Sequence, residues 1–335
     1  MRRSGIVRKR AAASLEFLLY LVFTCGMNLH QPLSVPAPRE AVDLVMRDGA
    51  VIRLRRYGQA GATRLVLSHG NGLAINAYMP FWLPLTDAYD VVLFDIRNHG
   101  ENPLHDPDSH RWETFYDDYE EIFHGIKAHF GEARTVGVFH SLSSVAALEH
   151  TLRQGKHDKR WDGLCLFDPP ILPRQDHPLH SVQFANMEQH SARALRRQST
   201  FDSPEQLASQ FRRRSSFRRW VPEAASLLAR HTMRATPDGC WSLCCPPELE
   251  ARIFRDNVDP TQYTRLKDMP APFIIIAGDP NSPHASPAAF TGRAAHEEMG
   301  IDYAMVPDTT HFLQLEEPQA CRELVIEFLR RHSLD

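Results

Sequence analysis

Beyond residue 39 the apolar positions fall into two patterns. "VDLVMR" (42–47) and "AVIRLRRYG" (50–58) flank Asp48-Gly49, a dipeptide suited to a tight reversal, and predict a β-hairpin. The runs that follow are short and nearly continuous: "RLVLS" (64–68), "DVVLFD" (90–95), "RTVGVF" (134–139), "GLCLFD" (163–168), "PFIIIAG" (272–278) and "DYAMV" (302–306). Strands with both faces buried read this way, as in parallel sheets. Helix-forming stretches separate most of them, which predicts βαβ units with crossover helices on both faces of one sheet. The fold class expected is therefore α/β, with a mostly parallel central sheet.

The rhythm breaks between Asp168 and Ala271. The interval holds helical stretches such as "SVQFANMEQHSARALRRQ" and "PEQLASQFRRRSSFRRWVPEAASLLARH", and it is too long for a loop. Residues 173–266 are expected to form a helical cap inserted after the sixth strand, within a domain of residues 39–335. A cap over the carboxyl ends of the strands would shape a pocket there.

Composition narrows the partners. A chain of 335 residues with 43% hydrophobic and 24% charged residues is ordinary for a globular protein, and a net charge of -3 offers no general attraction to nucleic acid. The arginines of "RRRSSFRRW" (212–220) are read as a solvated helix face, with grip on a substrate carboxylate or phosphate as the alternative. Six cysteines are too few for a disulfide framework and are read as mainly reduced thiols; "CWSLCC" (240–245) lacks the spacing of a metal site, so neither metal nor organic cofactor is expected. The start of the chain is basic and then apolar from Phe17 to Cys25, which is too short to span a bilayer. Residues 1–38 are read as a leader or an unstructured extension, Met27 being an alternative start. Cytoplasmic location is expected, or export if residues 1–37 act as a signal.

Three chemical groups fall at strand ends, where open α/β sheets place their ligands. Ser141 stands between "VGVF" and the helix-forming "LSSVAALEHTLR". On a sharp strand-to-helix turn its hydroxyl would project from the sheet, and the Leu142 amide could donate to an oxyanion. The plain alternative is a helix N-cap. "LSHGNG" (67–72) could supply a second amide from Asn71, with His69 orienting the turn. His311, in "VPDTTHFLQLEEP", could take the serine proton and return it to a leaving group; the alternative is an ordinary loop histidine. Asp95 and Arg97, in "DIRNHGENP", are expected to pair within a structural loop.

Taken together, "HGNG", "FDIRNHGENP" (94–103), "FHSLSS", "LFDPP" and "DTTHFLQLEEP" resemble the α/β-hydrolase superfamily over about residues 40–333, in that family's order of serine, acid and histidine. The resemblance implies a hydrolase of ester-like small molecules working through an acyl-enzyme. Two departures stand out. The position two before the serine, small in the pattern G-x-S-x-G, is Phe139, which must point away from the helix or relax the turn. The family's usual carboxylate position, three beyond Gly278, is Asn281. Asp279, on the same loop, and Asp168, at the end of the sixth strand, are the two candidates to orient His311, with Asp279 taken first. Each oxyanion donor would be worth on the order of 3 kcal/mol. Phe184, Phe211, Phe217, Trp220 and Trp241 would line the pocket or form the cap's own core. The competing functions are a non-catalytic binding protein of this fold and an acyltransferase using the same serine.

Overall fold

The computed structural model describes residues 34–155, 160–214, 217–256 and 259–335. The expected leader or extension, Met27 included, lies outside the described residues up to residue 33.

The predicted hairpin is β1 (Glu40–Val45) and β2 (Val51–Gly58), paired antiparallel. Gly49 takes a left-handed φ of 89° at the reversal, and the Ala50 amide donates to Asp48 Oδ1 at 3.1 Å. The continuous apolar runs become β3 (Arg64–Ser68), β4 (Asp90–Phe94), β5 (Thr135–His140) and β6 (Gly163–Phe167), with β10 (Phe273–Ala277) and β11 (Tyr303–Met305) following the insertion. They form one eight-stranded sheet in the order β1-β2-β4-β3-β5-β6-β10-β11; β2 also meets β4 antiparallel, and every later pairing is parallel.

Burial explains why the runs are continuous. Leu65 and Leu67 join one apolar cluster and Val66 the other, and Val91 and Leu93 are likewise split from Val92 and Phe94. Successive side chains point to opposite faces, and each face is covered. The clusters draw in the helices α1 (Trp112–Phe130) and α2 (Leu142–Gln154) on one side and α8 (Pro318–Arg331) on the other. Among the described residues no helix is long and apolar enough to cross a membrane.

Between β6 and β10 the chain forms α3 (His180–Ala194), α4 (Pro204–Arg213), α5 (Ala224–His231) and α6 (Pro247–Arg255), before α7 (Pro287–Met299) resumes the βα rhythm. The insertion is not wholly helical as expected. It also holds a three-stranded antiparallel sheet of β7 (Thr200–Phe201), β8 (Met233–Ala235) and β9 (Trp241–Leu243). Strands of two or three residues are too short to leave a period of two in the sequence. The inserted segment rests on loops at the carboxyl ends of the main strands. Arg234 donates to Asn102 O beyond β4, and the Val221 amide donates to Leu315 O beyond β11.

The five arginines of residues 212–219 are exposed, as a solvated face requires. Phe211 and Trp220 are buried in the core cluster, and Phe217 and Trp241 pack against it; Phe184 packs against the other cluster. Asp95 and Arg97 do not pair with each other. Buried Asp95 is bridged by Arg55 at 2.7 Å, and Arg97 forks onto Asp118 and also holds Asp48. The hairpin brings Arg55 and Asp48 to this loop, a long-range pairing with no local signature.

Candidate active site

The last residue of β5, His140, pairs with Phe167 of β6, and α2 begins at Leu142. Ser141 alone makes the corner. Its backbone holds φ 55° and ψ -116°, a costly conformation for a residue with a Cβ. The Ser141 amide is anchored on Phe167 O at 2.9 Å. Ser143 clamps the turn by accepting from the His140 amide and donating to His140 O, and Ser144 donates to Phe139 O at 2.6 Å. The serine is not acting as a side-chain N-cap of α2.

Phe139 fits without opening this turn because the small residue has moved upstream. Its fully buried ring meets Phe94, Tyr119 and Trp161. Part of it occupies the space that a methyl group on Gly137 would fill.

His311 reaches the serine from the loop after β11. Its Nε2 lies 2.9 Å from Ser141 Oγ, and its Nδ1 lies 2.5 Å from Asp168 Oδ2. A carboxylate only accepts, so the neutral imidazole carries its proton on Nδ1 and offers Nε2 to the serine hydroxyl. The loop comes this close because Gly278 has no side chain: a Cβ there would stand 2.5 Å from Thr310 O. Asp168, fully buried with φ 42°, also accepts from the Gly278 amide and from the Ser286 hydroxyl.

Of the two candidate acids, only Asp168 meets the imidazole. Asp279 accepts instead from the amides of Asn281, at 2.8 Å, and Asp308, at 3.0 Å, and these bonds hold its carboxyl below the ordinary range. It ties down the loop that carries His311. Ser286 was not singled out from the sequence, although Ser286-Pro287 is a recognisable helix start; its hydroxyl accepts from the Ala289 amide while donating to Asp168.

His140 links the parts. Its Nε2 lies 2.8 Å from His311 O, a pure acceptor, so Nε2 carries the proton and Nδ1 accepts from Tyr78 Oη at 2.7 Å. Burial holds this imidazole well below its ordinary pKa, and the neighbouring His311 adds to the effect. Tyr78 also receives the Gly70 amide, at the long distance of 3.5 Å.

The "HGNG" turn is pressed against the serine: a Cβ on Gly70 would lie 3.1 Å from Ser141 Cβ. His69 donates from Nδ1 to Gly70 O at 2.7 Å and accepts the Ile96 amide on Nε2. His99 accepts the Gly72 amide on Nε2 and donates to Arg97 O. Among the described residues the amides of Asn71 and Leu142 have no acceptor of their own. The Asn71 side chain is fixed on Glu250 O of α6 at 2.9 Å.

His99, His110 and Cys245 bring three ligand-type atoms within 4.8 Å of one another. Both nitrogens of His99 are already committed to the backbone, and His110 Nδ1 accepts from Asn98. A cation would have to break the bond that holds Gly72.

Residues 65–324 match the model of the alpha/beta hydrolase family. No sequence among curated proteins matches the chain. Among solved structures, E-2-(acetamidomethylene)succinate hydrolase superposes with a TM-score of 0.68 at 15% identity, over 87% of this chain and 98% of the other. The thioesterase domain from the curacin biosynthetic pathway gives 0.67 at 18% identity, covering 86% and 99%. A thermophilic esterase from Thermogutta terrifontis gives 0.63 at 19%, covering 88% and 99%.

Proposed function

Because the chain belongs to the alpha/beta hydrolase family, we propose that it is a serine hydrolase that cleaves an ester-like small molecule through an acyl-enzyme. The observation that carries this reading is the continuous chain from Ser141 Oγ through both nitrogens of His311 to the sealed carboxylate of Asp168. In the first half-reaction Ser141 Oγ attacks the substrate carbonyl while its proton passes to His311 Nε2. The imidazolium so formed is stabilised by Asp168. The same proton then leaves with the alcohol or thiol, and the acyl group stays on Ser141. Water, deprotonated by His311, attacks the ester in the second half-reaction and regenerates the serine. The amides of Leu142 and Asn71 receive the negative oxygen in both steps. The inserted segment of residues 173–266 acts as the cap that closes the site and shapes its specificity.

The experiment is labelling of the full chain with a fluorophosphonate, beside Ser141→Ala and His311→Ala. Labelling that both substitutions abolish, together with hydrolysis of p-nitrophenyl esters, supports the reading. A folded chain that does not label favours a binding protein instead. Labelling with slow hydrolysis that an added alcohol or amine accelerates favours acyl transfer.

A further inference from the structure

The turn that carries Asn71 is covered by a carboxylate. Glu250, near the start of α6, is buried, and its carboxyl group fills the space that a side chain at Gly72 would need: a Cβ there would lie 2.7 Å from Cδ and 2.8 and 2.9 Å from the two oxygens. Gly72 also takes a φ of 70°, so glycine is required on two counts. The main chain of Glu250 grips the same turn by accepting from Asn71 Nδ2. Side chain and backbone of one residue therefore both lie on the proposed oxyanion turn.

A buried carboxylate at this place is a liability for the chemistry. The transition state puts negative charge on the oxygen held by the Asn71 and Leu142 amides, and a second negative charge beside Gly72 would repel it through a poorly screening interior. Among the described residues Glu250 has one ionic partner, Arg197, which follows α3 and donates to Oε2. Desolvation raises the Glu250 pKa, and the charge of Arg197 opposes that rise. The guanidinium is the more exposed half of the pair, at 27% against 10%.

We propose that Arg197 is a positioning residue for catalysis, acting through Glu250: its charge cancels that of the carboxylate that braces the oxyanion turn, so the brace is retained without repelling the developing oxyanion. This rests on the serine mechanism proposed above. Charge and bracing separate cleanly, because glutamine at position 250 keeps the shape and the backbone bond to Asn71 while removing the charge.

The test compares fluorophosphonate labelling rates of the wild-type chain, Arg197→Met, Glu250→Gln and the double variant, each checked for folding by circular dichroism. Arg197→Met leaves Glu250 without its counter-charge and should label at least tenfold more slowly at high pH, where the carboxyl is ionised, the loss shrinking at low pH as the carboxyl takes up a proton. Glu250→Gln leaves a positive charge and should label about threefold faster than wild type. The double variant is neutral and should return to within threefold of wild type. A merely structural pair would slow all three alike, and that result overturns the inference while leaving the serine mechanism standing. If Arg197→Met does not fold, the other two decide: slowing of tenfold in both overturns the proposal, and a faster Glu250→Gln upholds it. A wild-type chain that does not label overturns the serine mechanism and this inference with it.

Discussion

Asp168 and His311, 143 residues apart, meet through a hydrogen bond of 2.5 Å, while Asp279, on the loop next to the histidine, accepts from the backbone amides of Asn281 and Asp308. The two acids therefore have different jobs, and substitution should separate them. Asp168→Asn should cut ester turnover by about 10³- to 10⁴-fold, since an amide favours the wrong tautomer of the imidazole. Asp279→Asn should keep turnover within tenfold of wild type and lower the melting temperature, because the amides of Asn281 and Asp308 lose a charged acceptor. Steady-state kinetics and thermal melts on both variants check this, and the opposite ranking of the two rates would contradict it.

Gly137 makes Phe139 possible at the position two before the serine. Gly137→Ala places a methyl group where the Phe139 ring lies, in a close-packed cluster with Trp161 and Tyr119. Overpacking of this kind costs about 1–3 kcal/mol. Urea titration should show a lower midpoint with an unchanged slope.

These two sites show what could be read in the sequence. The parallel strands were legible because burial on both faces writes itself as continuous apolar runs, and Ser141, Asn71 and His311 were legible as candidates because each lies on the loop or turn after such a run. The compensation at Gly137 was visible in the same run, "VGVF", but its meaning needs the direction of the Phe139 ring. The choice between Asp168 and Asp279 was not legible. Both follow neighbouring strands, and what selects Asp168 is its left-handed backbone together with the close pass of Thr310 over Gly278. Neither leaves a local pattern. The same holds for Arg197 and Glu250, which are far apart in the chain and meet only in three dimensions.

Ser286 should matter twice. Ser286→Ala removes the hydroxyl that donates to Asp168 and accepts the Ala289 amide at the start of α7. Loss of an N-cap costs about 0.5–2 kcal/mol. Turnover should fall severalfold as well, because the carboxylate loses one of the donors that fix its orientation. Ser286→Thr keeps the hydroxyl and should recover both quantities; a variant that loses stability but keeps full turnover would show that only the cap matters.

Acid should destabilise the fold from an unusually high pH. Burial holds His69, His99, His110, His140, His150, His190 and His231 below the ordinary imidazole value of 6.5, His110 at about 3 and His190 at about 4. A depressed folded-state value means that the unfolded chain binds the proton more readily. The stability these groups contribute is complete above about pH 6.5 and is lost as the pH falls. Asp118, raised to about 6 by desolvation, has the opposite sign, as do Glu250 and Glu316: their stabilisation is present at low pH and is lost as the pH rises. Seven imidazoles against three carboxyls make the net trend a loss on acidification. Melting temperatures should fall steadily from pH 7 to pH 5, and a rise over that interval would contradict the assignment of neutral histidines.

The bond from Tyr78 to His140 sets the tautomer that reaches His311. The tyrosine hydroxyl donates to Nδ1, which leaves the Nε2 proton for His311 O, while burial keeps the imidazole neutral. Tyr78→Phe removes that donor and leaves Nδ1 open to a proton, so that the buried His140 takes up charge at a higher pH than in the wild-type chain. A charged His140 would then stand beside His311, ring centres 4.8 Å apart, and lower the basicity of the group that must deprotonate Ser141. The acid limb of the kcat/KM profile should therefore move to lower pH, with kcat reduced severalfold where His140 is charged and recovered at higher pH. His140→Gln can still donate to His311 O but cannot become charged. It should keep the acid limb at the wild-type position even when combined with Tyr78→Phe. A pH shift that persists in that double variant would mean that Tyr78 acts on His311 by some route other than His140.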